Sequence, residues 1–335
     1  MCALTGLVGV FQPPGASAIT GNQPQTPEPV GERRSSGSPS AGETSAGAIS
    51  GSSQSGKQAT KAALRARPTL FAEHQSLIPG EVNWLAIEFE IDAGWHTYWL
   101  GQNDTGEAPS FVFRLPPGFE VGEAVWPAPT RYEAEGDFLD HTYEGRVAAL
   151  FPLKVPSDAP TSVTIEVDAD WLVCDKICLP ENTTLSTTLG VATTGERPQK
   201  ASTAARPFAE TRSRRPTGPT LGPGLTKIEP GGKTIVAEVA LAGDEFTLRL
   251  SGAREVILYP DQHSTPLIDL LAHGVAKGEM LKLELDRRPG AGPKDGQPRV
   301  SGIVEALFEG TNEPVFYHVD TAAKTDHASR KVPSP

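Results

Sequence analysis

A chain of 335 residues with 34 Gly, 31 Pro, 38% hydrophobic residues and a formal charge of −11 suits one or two domains of short strands and turns better than a helical bundle. The acidic balance excludes nucleic acid as a partner, because phosphate binding needs a basic surface. No run approaches the roughly 18 to 20 apolar residues of a membrane-crossing helix, so no direct membrane span is expected.

Residues 1–18 carry a short apolar stretch that ends in Gly15-Ala16-Ser17-Ala18. They read as the later part of a secretory signal without its basic start, and an exported, soluble protein is expected. Residues 19–62 are Gly, Ser, Ala, Pro, Thr and Glu with scarcely an aromatic. Such a segment cannot bury enough apolar surface to offset chain entropy and is expected to be a disordered leader.

Strand signals follow. Leu85, Ile87, Phe89 and Ile91 alternate with polar or small residues, as do Val147, Ala149, Phe151, Leu153 and Val155. The longest such run is Val163, Ile165, Val167, Ala169, Trp171 and Val173, which leads directly into Cys174. Period-2 patterning of this kind predicts half-buried strands. Asn103-Asp104-Thr105-Gly106, Pro116-Pro117-Gly118 and Pro156-Ser157-Asp158 supply turns between the runs. The predicted fold of residues 63–192 is an all-β sandwich of immunoglobulin-like type.

Residues 193–224 return to Pro, Thr, Arg and Gly and read as a linker, with Arg212, Arg214 and Arg215 as solvated charge. A second, smaller β-sandwich is predicted over 225–320, from strand-like runs at 246–250, 256–259, 281–285, 303–307 and 315–319. One helical turn is expected within Ile268–Leu271. The tail over 321–335 is expected to be flexible. Two sandwiches in tandem are thus predicted, without a recognisable internal repeat.

Of three cysteines, Cys2 would leave with an export signal, so Cys174 and Cys178 pair only with each other. A lone close pair in an oxidising compartment forms a disulfide; in the cytosol it is more often a metal or redox centre. Three intervening residues fit a tight hairpin that brings the sulfurs face to face. A bridge closing so small a loop constrains the unfolded chain little, which favours a working disulfide over a structural one. Lys176 between the cysteines would favour a thiolate and Asp175 would oppose it. Two other readings stay open. One is a structural staple in a binding module that recognises a protein or glycan through the aromatics Trp95, Tyr98 and Trp99. The other is a copper site of the two sulfurs with His96 or His141. No nucleophile elbow, phosphate loop or His-Glu-x-x-His motif is present, so hydrolase chemistry has no support.

Gly94-Trp95-His96-Thr97-Tyr98-Trp99, Asp104-Thr105-Gly106, Leu115-Pro116-Pro117-Gly118-Phe119, Trp126-Pro127-Ala128-Pro129 and Cys174 with Cys178-Leu179-Pro180 occur in this order. Together they resemble the periplasmic N-terminal domain of the thiol:disulfide interchange protein DsbD, in particular its ScsB-like branch, over about residues 63–191. The resemblance implies an immunoglobulin-like domain that takes electrons from a membrane-embedded thiol reductant and passes them to a thioredoxin-fold periplasmic oxidoreductase. It implies no cofactor, because the cysteine pair is itself the two-electron carrier. Cys178 would attack the partner's disulfide and Cys174 would resolve the mixed disulfide. The stretch Phe138–Glu144 falls where relatives carry a loop and an aromatic that cover the cysteines. Phe138 or Tyr143 would then be the cap, with His141, Lys176, Tyr132 and Glu135 at the rim of the redox site.

Overall fold

The computed structural model describes residues 63–193, 195–201, 203–229, 232–286 and 297–323. The regions read as signal (1–18) and leader (19–62), and the tail beyond residue 323, lie outside them. In chain order the strands begin with β1 (Ala66–Ala72), β2 (Ser76–Leu77), β3 (Val82–Ile91), β4 (His96–Tyr98), β5 (Ser110–Arg114) and β6 (Glu120–Val121). They continue with β7 (Thr130–Ala134), β8 (Phe138–Glu144), β9 (Arg146–Lys154), β10 (Ser162–Cys174) and β11 (Cys178–Val191). One sheet has the order β1-β3-β9-β6; the other runs β2-β11-β10-β4-β8-β7, with β5 also paired to β10.

The two sheets form an immunoglobulin-like sandwich around one core. Leu85, Ile87 and Phe89 of β3 share it with Val163, Ile165, Val167, Ala169, Trp171 and Val173 of β10. The alternation read in β10 is obeyed at every one of these six positions, all buried. Hairpin β10–β11 keeps one register from Ser162↔Gly190 to Cys174↔Cys178, so the cysteines become its last cross-strand pair.

Strand β3 departs from the half-buried pattern. Ala86 and Glu88, which face away from the sandwich core, are buried as well. Their cover is helix α1 (Ala205–Ser213), which falls inside the stretch expected to be a linker. Phe208 of α1 packs with Ala86, Ala148 and Leu150. The arginines expected to be solvated are docking groups instead. Arg212 makes two hydrogen bonds to the buried carboxylate of Glu73, at 2.7 and 2.9 Å, and lies over the Trp84 and Phe208 rings. Arg214 donates to the Pro129 carbonyl, and Arg206 pairs with buried Glu88 at 2.6 Å. Composition failed to reveal the helix because its apolar contribution is small; the fit depends on carboxylates from β3 and the residue after β1.

Residues beyond α1 form a second pair of sheets around a separate core. Its elements are β12 (Gly224–Ile228), β13 (Ile235–Ala242), β14 (Glu245–Leu250), β15 (Ala253–Pro260), β16 (Leu267–Ile268), α2 (Leu270–His273) and β17 (Val275–Ala276). They end with β18 (Met280–Leu285), β19 (Ser301–Phe308) and β20 (Val315–Asp320). The sheet orders are β12-β13-β14-β18-β16 and β17-β15-β19-β20. The expected helical turn is α2, entered through Asp269 in the left-handed conformation at φ 51°. The loop after β4 is tied to this second region. The Gln102 side-chain amide donates to the Leu267 carbonyl (3.1 Å) and accepts from the Leu267 N–H (3.0 Å).

Candidate thiol–disulfide site

Cys174 and Cys178 form a disulfide across the end of the β10–β11 hairpin. Asp175, Lys176 and Ile177 make the turn, closed by Asp175 N–H donating to the Ile177 carbonyl (3.2 Å). The two sulfur-bearing residues are not equivalent: Cys174 is 2% exposed, whereas Cys178 is exposed. The turn residues are exposed too, and Ile177 presents 62% of its surface to solvent. Below the pair, Glu181 anchors the hairpin. Its carboxylate accepts from Trp171 Nε1 (3.1 Å) and from the backbone N–H groups of Arg65 (2.7 Å) and Ala66 (3.1 Å).

The outer face of the sheet supplies the surroundings. Cys174 pairs with His96 on β4, and His96 pairs in turn with Glu144 on β8. Residues facing one side of these strands therefore include His96, Tyr98, Tyr132, Asp140, Thr142 and Glu144. The His96 ring lies 5.3 Å from that of Tyr98 and 4.6 Å from that of Tyr132. Burial pushes the His96 imidazole below the usual histidine range, against the pull of Asp140, Glu144 and Asp175. Tyr98 is buried, and its hydroxyl stands 3.6 Å from Cys178 Sγ and 3.3 Å from Thr105 Oγ1. Burial raises its phenol above the ordinary tyrosine range, with the Thr105 contact acting the other way. Thr105 Oγ1 in turn donates to Asp140 Oδ2 at 2.5 Å. Asp140 Oδ1 accepts from the N–H groups of Asp104 (2.9 Å) and Thr105 (3.0 Å).

The loop between β4 and β5 is held along β8 by further bonds. Leu139 N–H donates to Asp104 Oδ2 (2.7 Å), and His141 N–H donates to Asn103 Oδ1 (2.8 Å). Gly106 lies under the Tyr98 ring, where a β-carbon would fall inside the ring itself.

Alternation along β8 sorts the expected cap and rim residues onto two faces, and it corrects two of them. Tyr143 points into the sandwich core. Its ring stacks on Trp126 at 5.5 Å, its hydroxyl donates to the Pro127 carbonyl (2.6 Å), and burial drives its phenol well above the usual range. His141 is fully buried on that same opposite face, between Trp99 and Tyr259, and Nδ1–H donates to the Gln102 carbonyl (2.7 Å). Neither is placed to cover the cysteines, and His141 is removed from any copper site with the two sulfurs. Phe138 begins β8 on the Asp140 face and is 47% exposed. Lys176 is at the exposed tip of the hairpin. Tyr132 joins the site through His96, whereas Glu135 lies in the β7–β8 turn. Thr105, Asp140 and Gly106 were not singled out as site residues. Their signal was the period-2 partnership of His96 with Tyr98 and of Asp140 with Thr142, legible only once β4 and β8 are recognised as neighbours.

Residues 67–190 match the family described as thiol:disulfide interchange protein DsbD, N-terminal. Among solved structures, the chain is similar to the N-terminal periplasmic domain of ScsB from Proteus mirabilis. That likeness has 14% identity, covers 75% of this chain and 90% of that one, and has a TM-score of 0.45. The DsbD N-terminal domain of Neisseria meningitidis in its reduced form is 14% identical over 40% of this chain and 91% of that one, with a TM-score of 0.25. No curated protein matches the chain.

Proposed function

We propose that the chain is a periplasmic thiol–disulfide relay. It takes two electrons from a membrane-embedded thiol reductant and delivers them to a thioredoxin-fold oxidoreductase through Cys174 and Cys178. The observation that carries this reading is the asymmetry of the pair: an exposed Cys178 at a hairpin tip bonded to a buried Cys174. The match of residues 67–190 to the DsbD N-terminal family model supports it. Among the described residues no helix is long and apolar enough to cross a membrane.

The steps balance without a cofactor. In the reduced protein the Cys178 thiolate attacks one sulfur of the acceptor's disulfide. A bond forms between them, the acceptor's S–S bond breaks, and its departing thiolate takes up the proton that Cys178 lost. The Cys174 thiolate then attacks Cys178 Sγ, which restores the Cys174–Cys178 bond and releases the acceptor's second thiolate, protonated by the proton of Cys174. Burial of Cys174 restricts access of outside disulfides to it, and exposure of Cys178 makes it the entry sulfur.

The reduction potential tests the proposal. The protein is equilibrated in glutathione or dithiothreitol buffers, and free thiols at each cysteine are trapped for mass spectrometry. A potential of roughly −180 to −270 mV, within reach of thioredoxin-like partners, is expected. A potential well below about −300 mV would make the bridge a structural staple.

A further inference from the structure

Tyr98 touches the exposed sulfur, and its hydroxyl hydrogen has two neighbours to choose between: Thr105 Oγ1 at 3.3 Å and Cys178 Sγ at 3.6 Å. The choice is settled two bonds away. Asp140, as a carboxylate, only accepts, so the single hydroxyl hydrogen of Thr105 is committed to it. Thr105 Oγ1 is then left with lone pairs facing Tyr98. An oxygen polarised by a neighbouring carboxylate is a better acceptor than a disulfide or thiol sulfur, which accepts weakly. Tyr98 therefore donates to Thr105 and turns a lone pair towards Cys178.

We infer that the chain Tyr98–Thr105–Asp140 fixes the direction of the hydrogen bond at Cys178, so that Tyr98 accepts from the thiol of the reduced protein and does not donate to its thiolate. This rests on the thiol–disulfide reading and extends it. The reduced pair is held in its protonated, weakly nucleophilic form until a docking partner changes the surroundings of Tyr98. On attack the Cys178 proton leaves to the acceptor's departing thiolate, as above. Tyr98 contacts the reacting sulfur; Thr105 and Asp140 are positioning residues that act through it. The loop geometry serves this end. Asp140 is locked by the Asp104 and Thr105 N–H groups, and Gly106 leaves room for the Tyr98 ring that a β-carbon would occupy.

The test is the pH profile of alkylation at Cys178 in the fully reduced full-length protein, read peptide by peptide with iodoacetamide. The titratable and charged groups around the pair are His96 and Tyr98 from β4, Tyr132 from β7, Asp140 and Glu144 from β8, and Asp175 and Lys176 from the turn. Thr105→Val leaves all of them in place and frees the Tyr98 hydroxyl to turn to the sulfur. The expected result is about a tenfold faster reaction of Cys178 at pH 7, with the whole profile moved to lower pH. Thr105→Ser, which keeps the hydroxyl, is expected to retain the wild-type profile. Thr105→Val combined with Tyr98→Phe is expected to match Tyr98→Phe alone. A Thr105→Val profile that stays in place or moves to higher pH overturns the inference, and so does a gain that survives loss of the Tyr98 hydroxyl. Alkylation needs no redox partner, so this result stands apart from the reduction potential that decides the relay.

Discussion

At the scale of single residues, Gly106 is the sharpest constraint on the site. Its place under the Tyr98 ring follows from a close approach and not from backbone strain, since any β-carbon there would occupy the ring. Gly106→Ala must displace Tyr98 or open the loop. A cost of about 1–3 kcal/mol is expected, as for other overpacked positions, with loss of the Tyr98–Cys178 contact. The check is a urea-unfolding curve together with the iodoacetamide reactivity of Cys178. An unchanged midpoint would mean that the ring is not confined as described. Such residues are hard to read from a sequence. Asp104-Thr105-Gly106 could be placed in a turn from its composition, but nothing local says which ring lies over the glycine. Cys174 and Cys178 were legible because spacing alone fixes their geometry. Tyr143 and His141 fall elsewhere for the complementary reason: residues an odd number of positions from Asp140 lie on the opposite face of β8.

At the scale of elements, the strands with apolar alternation were legible and helix α1 was not. Strands β3, β9, β10, β14 and β18 each present an alternating face to a core, and that face is written in their own residues. Helix α1 is held by ion pairs whose other halves lie over a hundred residues away, so its 205–213 stretch looks like polar linker when read alone. Glu73 shows the strength of the docking. Burial raises its carboxyl, yet the hydrogen bonds from Arg212 and Lys200 outweigh this and hold it at about 2. With its folded value below the unfolded one, the group contributes stability that is fully present above about pH 4.5 and is lost as pH falls towards 2. Arg212→Ala leaves a buried carboxylate with only the more exposed Lys200 as partner. It is expected to cost about 3 kcal/mol and to open the 205–214 segment to protease. Urea unfolding and limited proteolysis check this; a stability loss below about 0.5 kcal/mol would mark α1 as loosely held.

At the scale of the whole molecule, the site loop is clamped between the two pairs of sheets. Gln102 bonds Leu267 through both ends of its amide, and the Arg131 guanidinium donates to the Leu270 and Leu271 carbonyls. Trp99, His141 and Tyr259 fill the space between, with the Tyr259 hydroxyl donating to Glu305 (2.8 Å). His141 is the titratable weak point of this junction. Its Nε2 is buried without a hydrogen-bond partner, and burial lowers the imidazole to about 4, against the opposing effect of the Gln102 carbonyl. Protonation therefore favours the unfolded chain, in which a histidine titrates near 6.5. Stability from neutral His141 is complete above that pH and is lost as pH falls towards 4. The loss between pH 7 and pH 5 should be about 2 kcal/mol. His96, lowered in the same direction, adds to the wild-type slope. His141→Asn cannot titrate there. It is expected to be less stable at pH 7, because the packing between Trp99 and Tyr259 is reduced, but to lose clearly less than the wild type between pH 7 and pH 5. Urea-unfolding free energies at the two pH values, for both proteins, decide the matter. Equal slopes would show that the junction admits water or opens before His141 takes its proton. A shallower slope in the variant would identify this histidine as the group through which acid loosens the second pair of sheets from the loop that carries Thr105.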